Sequence, residues 1–398
     1  MFAAIILLFI ILFVYWNFIY KRKGLPPGPI PLPFFGNTLT LSRSKCAYLP
    51  YKLWADKYGP IYTFWMGESP IVTVTDYSLM NEMFVKNGDA YVGRDFLNHL
   101  SKLVEVHTGN HGVIQTQGNT WRVMRRFGLL SMRTLGVGKA GMEKQFKEDI
   151  NEMINKLRRD VLLNKGENIN LQLNIDRLIG STINRVLFGF AFSDHQMDEF
   201  NKIKSTFDKA SRWQFSFCGR LLVAAPILRH LPFFYQSFLE FSELPLPIYK
   251  YLNKQIENRI EIRNKETQVE KEPKDLLDCY LDQMESDEAD PEFNMDNFRA
   301  LCYDLLLAGQ ETTGNTLSFL VLYLLLDQRV QSKLQEELDN LIGNDELIGL
   351  SQRPQANYTN AVINVLPVNP LNPPKAQKQK AFVVRPEPYN CRLILRRK

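Results

Sequence analysis

Six consecutive residues, Ala308-Gly309-Gln310-Glu311-Thr312-Thr313, interrupt a long apolar run that extends from Phe298 to Leu326. A run of that length reads as a buried helix. Glycine inside a helix costs about 1 kcal/mol relative to alanine, so Gly309 needs a purpose. Close approach of a flat ligand to the backbone is one such purpose. A mid-helix threonine hydroxyl competes for backbone carbonyls and can bend the helix. Glu311 beside Thr312 pairs an acid with a hydroxyl in apolar surroundings, which suits a proton relay. On pattern alone, a helix with a solvated polar patch accounts for the six residues equally well.

Other chemistry-bearing residues are sparse. The cysteines Cys46, Cys218, Cys279, Cys302 and Cys391 are odd in number and widely spaced, with no C-x-x-C. Neither a disulfide framework nor a zinc site is suggested, and a reducing compartment is the simpler reading. His107 and His111 are four apart, but Gly109 and Gly112 make the stretch a loop, so structural or exposed histidines are expected and no metal site. The net charge of +5, from 48 Lys and Arg against 43 Asp and Glu, is too mild to call for nucleic acid.

The elements that must position these residues are mostly helical. Phe2 to Tyr20 carry no charge and lead directly into Lys21-Arg22-Lys23. About 20 apolar residues cross a bilayer core, and the basic triplet places the rest of the chain on the cytosolic side. Residues 1–23 are therefore expected to be a transmembrane anchor with a basic stop, and the Pro-rich stretch 24–40 a stiff hinge. Ile61–Phe64 and Ile71–Val74 are β-rich, with Gly67, Glu68, Ser69 and Pro70 between them, which predicts a hairpin. Asp76 is placed to cap the next helix. Apolar spacing predicts helices from Met142 to Val161, from Leu173 to Phe188 with a stop at Gly189, and from Val330 to Leu341. Residues 201–265 read as helix broken near Pro226, Pro232, Pro245 and Pro247, and Lys265–Lys274 as a charged linker. The fold class is mainly α with a small β part. The tail 366–398 departs from this: its eight Lys and Arg, one acid, six prolines and no glycine suit disorder.

An ordered set of motifs resembles one family. Ala308-Gly309-Gln310-Glu311-Thr312-Thr313 within a long helix, Trp121-Arg122-Val123-Met124-Arg125, Tyr91-Val92-Gly93-Arg94, the anchor and the Pro-rich hinge together look like a microsomal cytochrome P-450 of the animal xenobiotic- and lipid-metabolising type. The resemblance covers residues 41–365 as the N-terminal part of such a domain, and Ser351–Asn364 resembles the approach to that family's next helix. It implies the cytochrome P-450 fold, haem b, electrons from NADPH-cytochrome P-450 reductase, and oxidation of a lipophilic small molecule at the endoplasmic reticulum membrane. It assigns Trp121, Arg125 and Arg94 to the haem propionates, which suits an indole donor and bidentate guanidinium groups. It places Ala308 and Gly309 against the cofactor, and Glu311 and Thr312 in oxygen activation and proton delivery. Ile114 and Asp304 would border the substrate. The aromatic-rich stretch Phe207 to Phe241 would form a lipophilic access route beside membrane lipid.

Two further motifs of the family are missing from these residues. No E-x-x-R occurs, and the glycine-bounded cysteine loop has no counterpart: around Cys391 the corresponding positions are Val384, Glu387 and Leu393. The expectation is a chain truncated or altered after about residue 365, without the haem-ligand cysteine and inactive as it stands. A non-catalytic membrane-anchored helical protein, or an adaptor whose basic tail touches anionic lipid, are the alternatives.

Overall fold

The computed structural model describes residues 2–44, 48–94, 107–163, 165, 169–265, 272–342, 347–365, 378–379, 385–386 and 391. They form a mainly helical protein with a small hairpin, the class the sequence predicts. The chain divides into two compact units, Met1–Trp121 with Asp208–Leu246, and Arg122–Phe207 with Pro247–Lys398.

The first unit begins with α1, Phe2–Phe18. Apolar residues occur on all its sides, and the 18 residues Ile5–Arg22 are long and apolar enough to cross a membrane, with only 6% of them buried. Its one strongly polar residue, Asn17, is fully buried and donates from Nδ2 to the Pro31 carbonyl at 3.1 Å. Just beyond, the Lys21 ammonium lies 2.8 Å from Glu68 and within 5 Å of the Trp16 and Trp65 ring centres. These contacts fasten the end of α1 to the Pro-rich stretch and the hairpin.

Helix α2, Leu49–Tyr58, packs on the hairpin formed by β1, Ile61–Met66, and β2, Ser69–Val74. Alternation buries Tyr62 and Phe64 against Trp54, the core of this part. The strands run antiparallel from Ile61↔Val74 to Met66↔Ser69. The sequence puts Ser69 and Pro70 in the turn; both instead lie in β2, and the turn is Gly67-Glu68 alone. Proline is tolerated there because a two-stranded ribbon is all edge. Gly67 is left-handed at φ 60°, and a Cβ would stand 2.1 Å from the Ala224 carbonyl oxygen. Gly67→Ala should therefore lower stability by about 2 kcal/mol, combining left-handed strain and overpacking. Faster proteolysis of the hairpin would report it, and an unchanged melting temperature would remove this role.

The same unit holds α3, Phe217–Ala224, and α4, Pro232–Glu243, separated by a short 3-10 turn at Pro226–His230. Phe241 is sandwiched between Trp213 at 4.0 Å and His107 at 4.2 Å. His107 also meets the Phe241 carbonyl at 2.8 Å through Nε2, and burial pushes its pKa down to about 4. It is a core histidine, the structural of the two alternatives, structural or exposed, that the sequence left open.

In the second unit, α5 spans Ala140–Leu163 and α6 spans Leu171–Phe188. Asn170 caps α6 through Leu173 N, and Gly189 at φ 81° ends it, at the stop the sequence predicts. The Pro-broken stretch includes α7, Met197–Phe215, whose first half belongs here, and α8, Leu246–Lys265, which opens beside Pro245 and Pro247, where the sequence predicts a break. Then come α9, Leu276–Met284, α10, Met295–Leu326 capped by Asn294, α11, Gln328–Ile342, and α12, Asn357–Val365. Glu337 of α11 accepts from the backbone N–H groups of Tyr358 and Thr359 at 2.7 Å, a side-chain cap for α12.

Most of the 366–398 tail and of the charged linker lies outside the described residues. Within the tail, Lys378–Gln379 pairs with Arg385–Pro386, and Cys391 pairs with Ile169 through two 3.0 Å backbone bonds.

Candidate active site

Helix α10 carries the signature, and its faces differ. Asp304, Gln310, Glu311, Asn315 and Ser318 are buried, whereas Ala308, Thr312, Thr313 and Thr316 are exposed. Successive helical residues are about 100° apart, so Glu311 and Thr312 look in different directions. The signature thus splits into a buried acid side and an outward hydroxyl side. On the outward side the Thr312 hydroxyl donates to the Ala308 carbonyl at 2.6 Å, and Thr316 donates to the Thr312 carbonyl at 2.8 Å. Each hydroxyl keeps its acceptor lone pairs for an incoming group.

Glycines set how closely α10 meets α6. A Cβ on Gly309 would stand 2.7 Å from Ile183 Cδ1, and one on Gly314 2.7 Å from Asp176 Oδ1. From the opposite helix, a Cβ on Gly180 would meet Phe200 at 2.4 Å and Gln310 Oε1 at 2.8 Å. The close approach that Gly309 permits is therefore to Ile183 on a neighbouring helix. Its neighbour Ala308 offers the outward surface.

Glu311 has a partner that no local pattern announces. Its Oε1 lies 2.7 Å from Lys204 Nζ on α7, with side-chain exposures of only 8% and 13%. Lys204 also stands 3.7 Å from Asp176 Oδ2, and Asn315 Nδ2 is 3.5 Å from Glu311 Oε2. A part-buried ammonium is thus shared by two carboxylates. Asp304, one turn before Ala308, is 2% exposed, and burial together with its charge pushes the Tyr249 phenol up.

Trp121 and Arg125 belong to a helix that spans Gly118–Thr134. Four residues apart, they lie one turn from each other on neighbouring positions of one face. In the first unit, the Arg94 guanidinium sits 5.8 Å from the Trp121 ring centre, and its backbone N–H donates to Gln117 Oε1 at 3.0 Å. Arg94 Nε is buried with no hydrogen-bond partner among the described residues. A buried guanidinium N–H without an acceptor is poised for an anionic one. Ile114, 37% exposed, lies in the bend that leads into the Trp121 helix. The structure thus places Arg94, Ile114 and Trp121 in the first unit and Arg125, Asp304, Ala308, Gly309, Glu311 and Thr312 in the second.

The thiols have a different setting. Cys302 is fully buried, and burial pushes its thiol well above the ordinary range. Burial also raises Cys279 and Cys391. Cys391 is 8% exposed, with Sγ directed at the Ile169 carbonyl. A thiolate ligand needs the opposite environment.

The family model of cytochrome P-450 matches residues 26–364. Relatives include cytochrome P-450 2J5 of Mus musculus, 30% identical over 358 residues that cover 87% of this chain and 68% of the relative. Cytochrome P-450 2G1 of Oryctolagus cuniculus is 28% identical over 91% of this chain and 70% of that protein. Cytochrome P-450 2H1 of Gallus gallus is 28% identical over 91% of this chain and 71% of that protein. The chain belongs to the cytochrome P-450 family. Membership implies haem. The residues meet that requirement in part: the unserved Arg94 N–H beside Trp121 suits a propionate, and the small outward surface at Ala308 and Thr312 suits a flat ring. Cys279, Cys302 and Cys391, whose thiols burial raises, do not suit a thiolate ligand.

Sequence reasoning missed Lys204, Asp176 and Ile183. Lys204 is 107 residues from Glu311, and its own neighbours read as an ordinary amphipathic helix. A buried acid within an apolar run was the available signal, because such a group calls for a countercharge.

Proposed function

We propose that this chain carries the oxygen-side and propionate-side residues of a haem-thiolate monooxygenase acting on a lipophilic small molecule, and that the 398 residues do not themselves hold haem as a thiolate complex. The observation that carries the first part is the split helix α10, with hydroxyls outward and a paired acid behind them. The observation that carries the second is the buried, backbone-paired Cys391. Haem ligated by a thiolate supplies the electron-rich iron that cleaves O–O bonds.

Around such a group, the family resemblance would give the propionates to Trp121, Arg125 and Arg94. Thr312 presents its hydroxyl oxygen to the outward side and donates from it. Glu311 holds a carboxyl group one residue away, and the 2.7 Å contact with Lys204 Nζ holds it inward. Passing a proton outward then requires Glu311 Oε1 to leave Lys204 Nζ. By the same resemblance Ile114 and Asp304 would each border the substrate. In the proposed access stretch, Phe217 and Phe233 are exposed, while Phe207 and Phe241 are core. Exposed Ile227 and Leu231 join the first pair, so the route to membrane lipid narrows to residues 217–233. The apolar α1 with basic residues at its end supports single-pass anchoring in the endoplasmic reticulum membrane with the body cytosolic, where NADPH-cytochrome P-450 reductase is the electron donor. A non-catalytic membrane-anchored protein of this family is the second reading, favoured by the Cys391 setting.

The ferrous carbon monoxide spectrum of the purified chain, supplied with haem, tests the proposal. No thiolate-type Soret band is expected. A band that vanishes in Cys391→Ala would overturn the second part and make the chain a complete haem protein.

A further inference from the structure

An open-mouthed cavity of about 460 Å³ lies where the anchor helix meets the hinge and the hairpin. Its lining mixes aromatic and basic groups, Tyr15, Phe18 and Trp65 with Arg22 and Lys23. Thr63 also lines it and is only 3% exposed, yet Thr63 Oγ1 has no hydrogen-bond partner among the described residues. A buried hydroxyl left unserved is costly, and its position in the wall of a cavity points to an external partner. The Thr63 backbone is already committed: its N–H donates to the Pro27 carbonyl at 3.0 Å, and Gly28 packs so closely that a Cβ there would stand 1.7 Å from the Thr63 carbonyl oxygen. The side chain alone remains for a ligand.

Charge defines the ligand. Lys21 is neutralised by Glu68 at 2.8 Å, so it adds no net charge at the cavity. Among the described residues Arg22 donates to neutral carbonyls, those of Phe18 at 3.4 Å and Gly28 at 3.1 Å, and to no carboxylate. Lys23 is exposed. Two cations thus border a wall of aromatic rings with an unserved hydroxyl inside. With α1 in a bilayer, residues 20–23 lie at the level of the lipid phosphates, where basic residues and aromatic rings both gather.

We propose that this cavity is a binding site for the phosphate-bearing headgroup of an anionic phospholipid. The phosphate would accept from Thr63 Oγ1 and face Arg22 and Lys23, with the glycerol and upper acyl carbons along Tyr15, Phe18 and Trp65. The assignment rests on the anchoring read above, because that reading brings the cavity to the lipid phosphates.

The experiment uses the full chain in detergent micelles, titrated with phosphatidylserine, phosphatidylcholine or inorganic phosphate, and reads the melting temperature. A ligand that binds only the folded state raises it with concentration. Phosphatidylserine should raise it and the other two should not. Thr63→Val keeps shape and removes the hydroxyl, so the variant should fold at least as well and lose most of the shift. Arg22→Gln with Lys23→Gln should weaken half-saturation by about tenfold or more. Lys375→Gln with Lys378→Gln and Lys380→Gln, in the basic tail, should leave the response intact. A shift equal for phosphatidylcholine, reproduced by inorganic phosphate, or unchanged in Thr63→Val would overturn the proposal. Carbonate extraction of the chain from vesicles tests anchoring separately: release would end the anchoring reading, while the micelle titration still decides the cavity.

Discussion

Lys204→Met should lower the stability of the second unit by about 3 kcal/mol. Methionine keeps the packing of the lysine stem and removes the ammonium that lies 2.7 Å from Glu311 and 3.7 Å from Asp176. Both carboxylates then stay in a dry setting without their countercharge, which is the costly way to break a buried pair. The melting temperature should fall by roughly 6–12 °C. Glu311→Gln added to Lys204→Met removes one stranded charge and should recover a large part of the loss, since contacting residues are not additive. An unchanged melting temperature in the single variant would show that the pair is solvated in solution, and the inward-held acid would lose its support.

Acidification should weaken the first unit through His107. Its pKa is lowered to about 4 from an ordinary 6.5, because burial against Phe241 disfavours the imidazolium. The unfolded chain therefore takes up a proton at higher pH than the folded one. Stability is complete above about pH 6.5 and is lost as pH falls toward the folded value, by about 3 kcal/mol in all. Carboxylates begin to titrate in the lower part of that window, so the clean comparison lies between about pH 6.5 and 5. There the wild-type chain should lose about 2 kcal/mol that His107→Gln does not lose. Parallel pH profiles for the two chains would remove His107 as the cause.

What the sequence made legible was local chemistry. Asp76 accepts from Leu79 N at 2.9 Å, Gly189 stops its helix, and the 3.6-residue periodicity places the helices around it. The hairpin was legible too, but its turn was two residues too long, because Ser69 and Pro70 carry turn chemistry that cross-strand pairing with Met66 and Trp65 overrode. The signature on α10 was visible as composition, while its division into two faces was not. That division depends on Ile183, Asp176 and Lys204, which reach it from other helices. The same limit applies to the aromatic stretch, where Phe241 and Phe233 look alike in sequence and lie 1% and 70% exposed. Sequence alone could not say which aromatic has Trp213 and His107 against its two faces.

The pairing of Ile169 with Cys391 joins positions 222 residues apart. Ribosomes add roughly 5–20 residues per second, so the partner of Ile169 leaves the ribosome about 10–45 s after it. For that interval the backbone of Ile169 is an unfilled pairing site on a nascent chain whose α5 is already made and whose α6 follows at once. A chaperone that shields extended edges, or a pause in translation, would act in that window, and a shorter interval would lessen the exposure. Closing this one contact thus follows the synthesis of both helices.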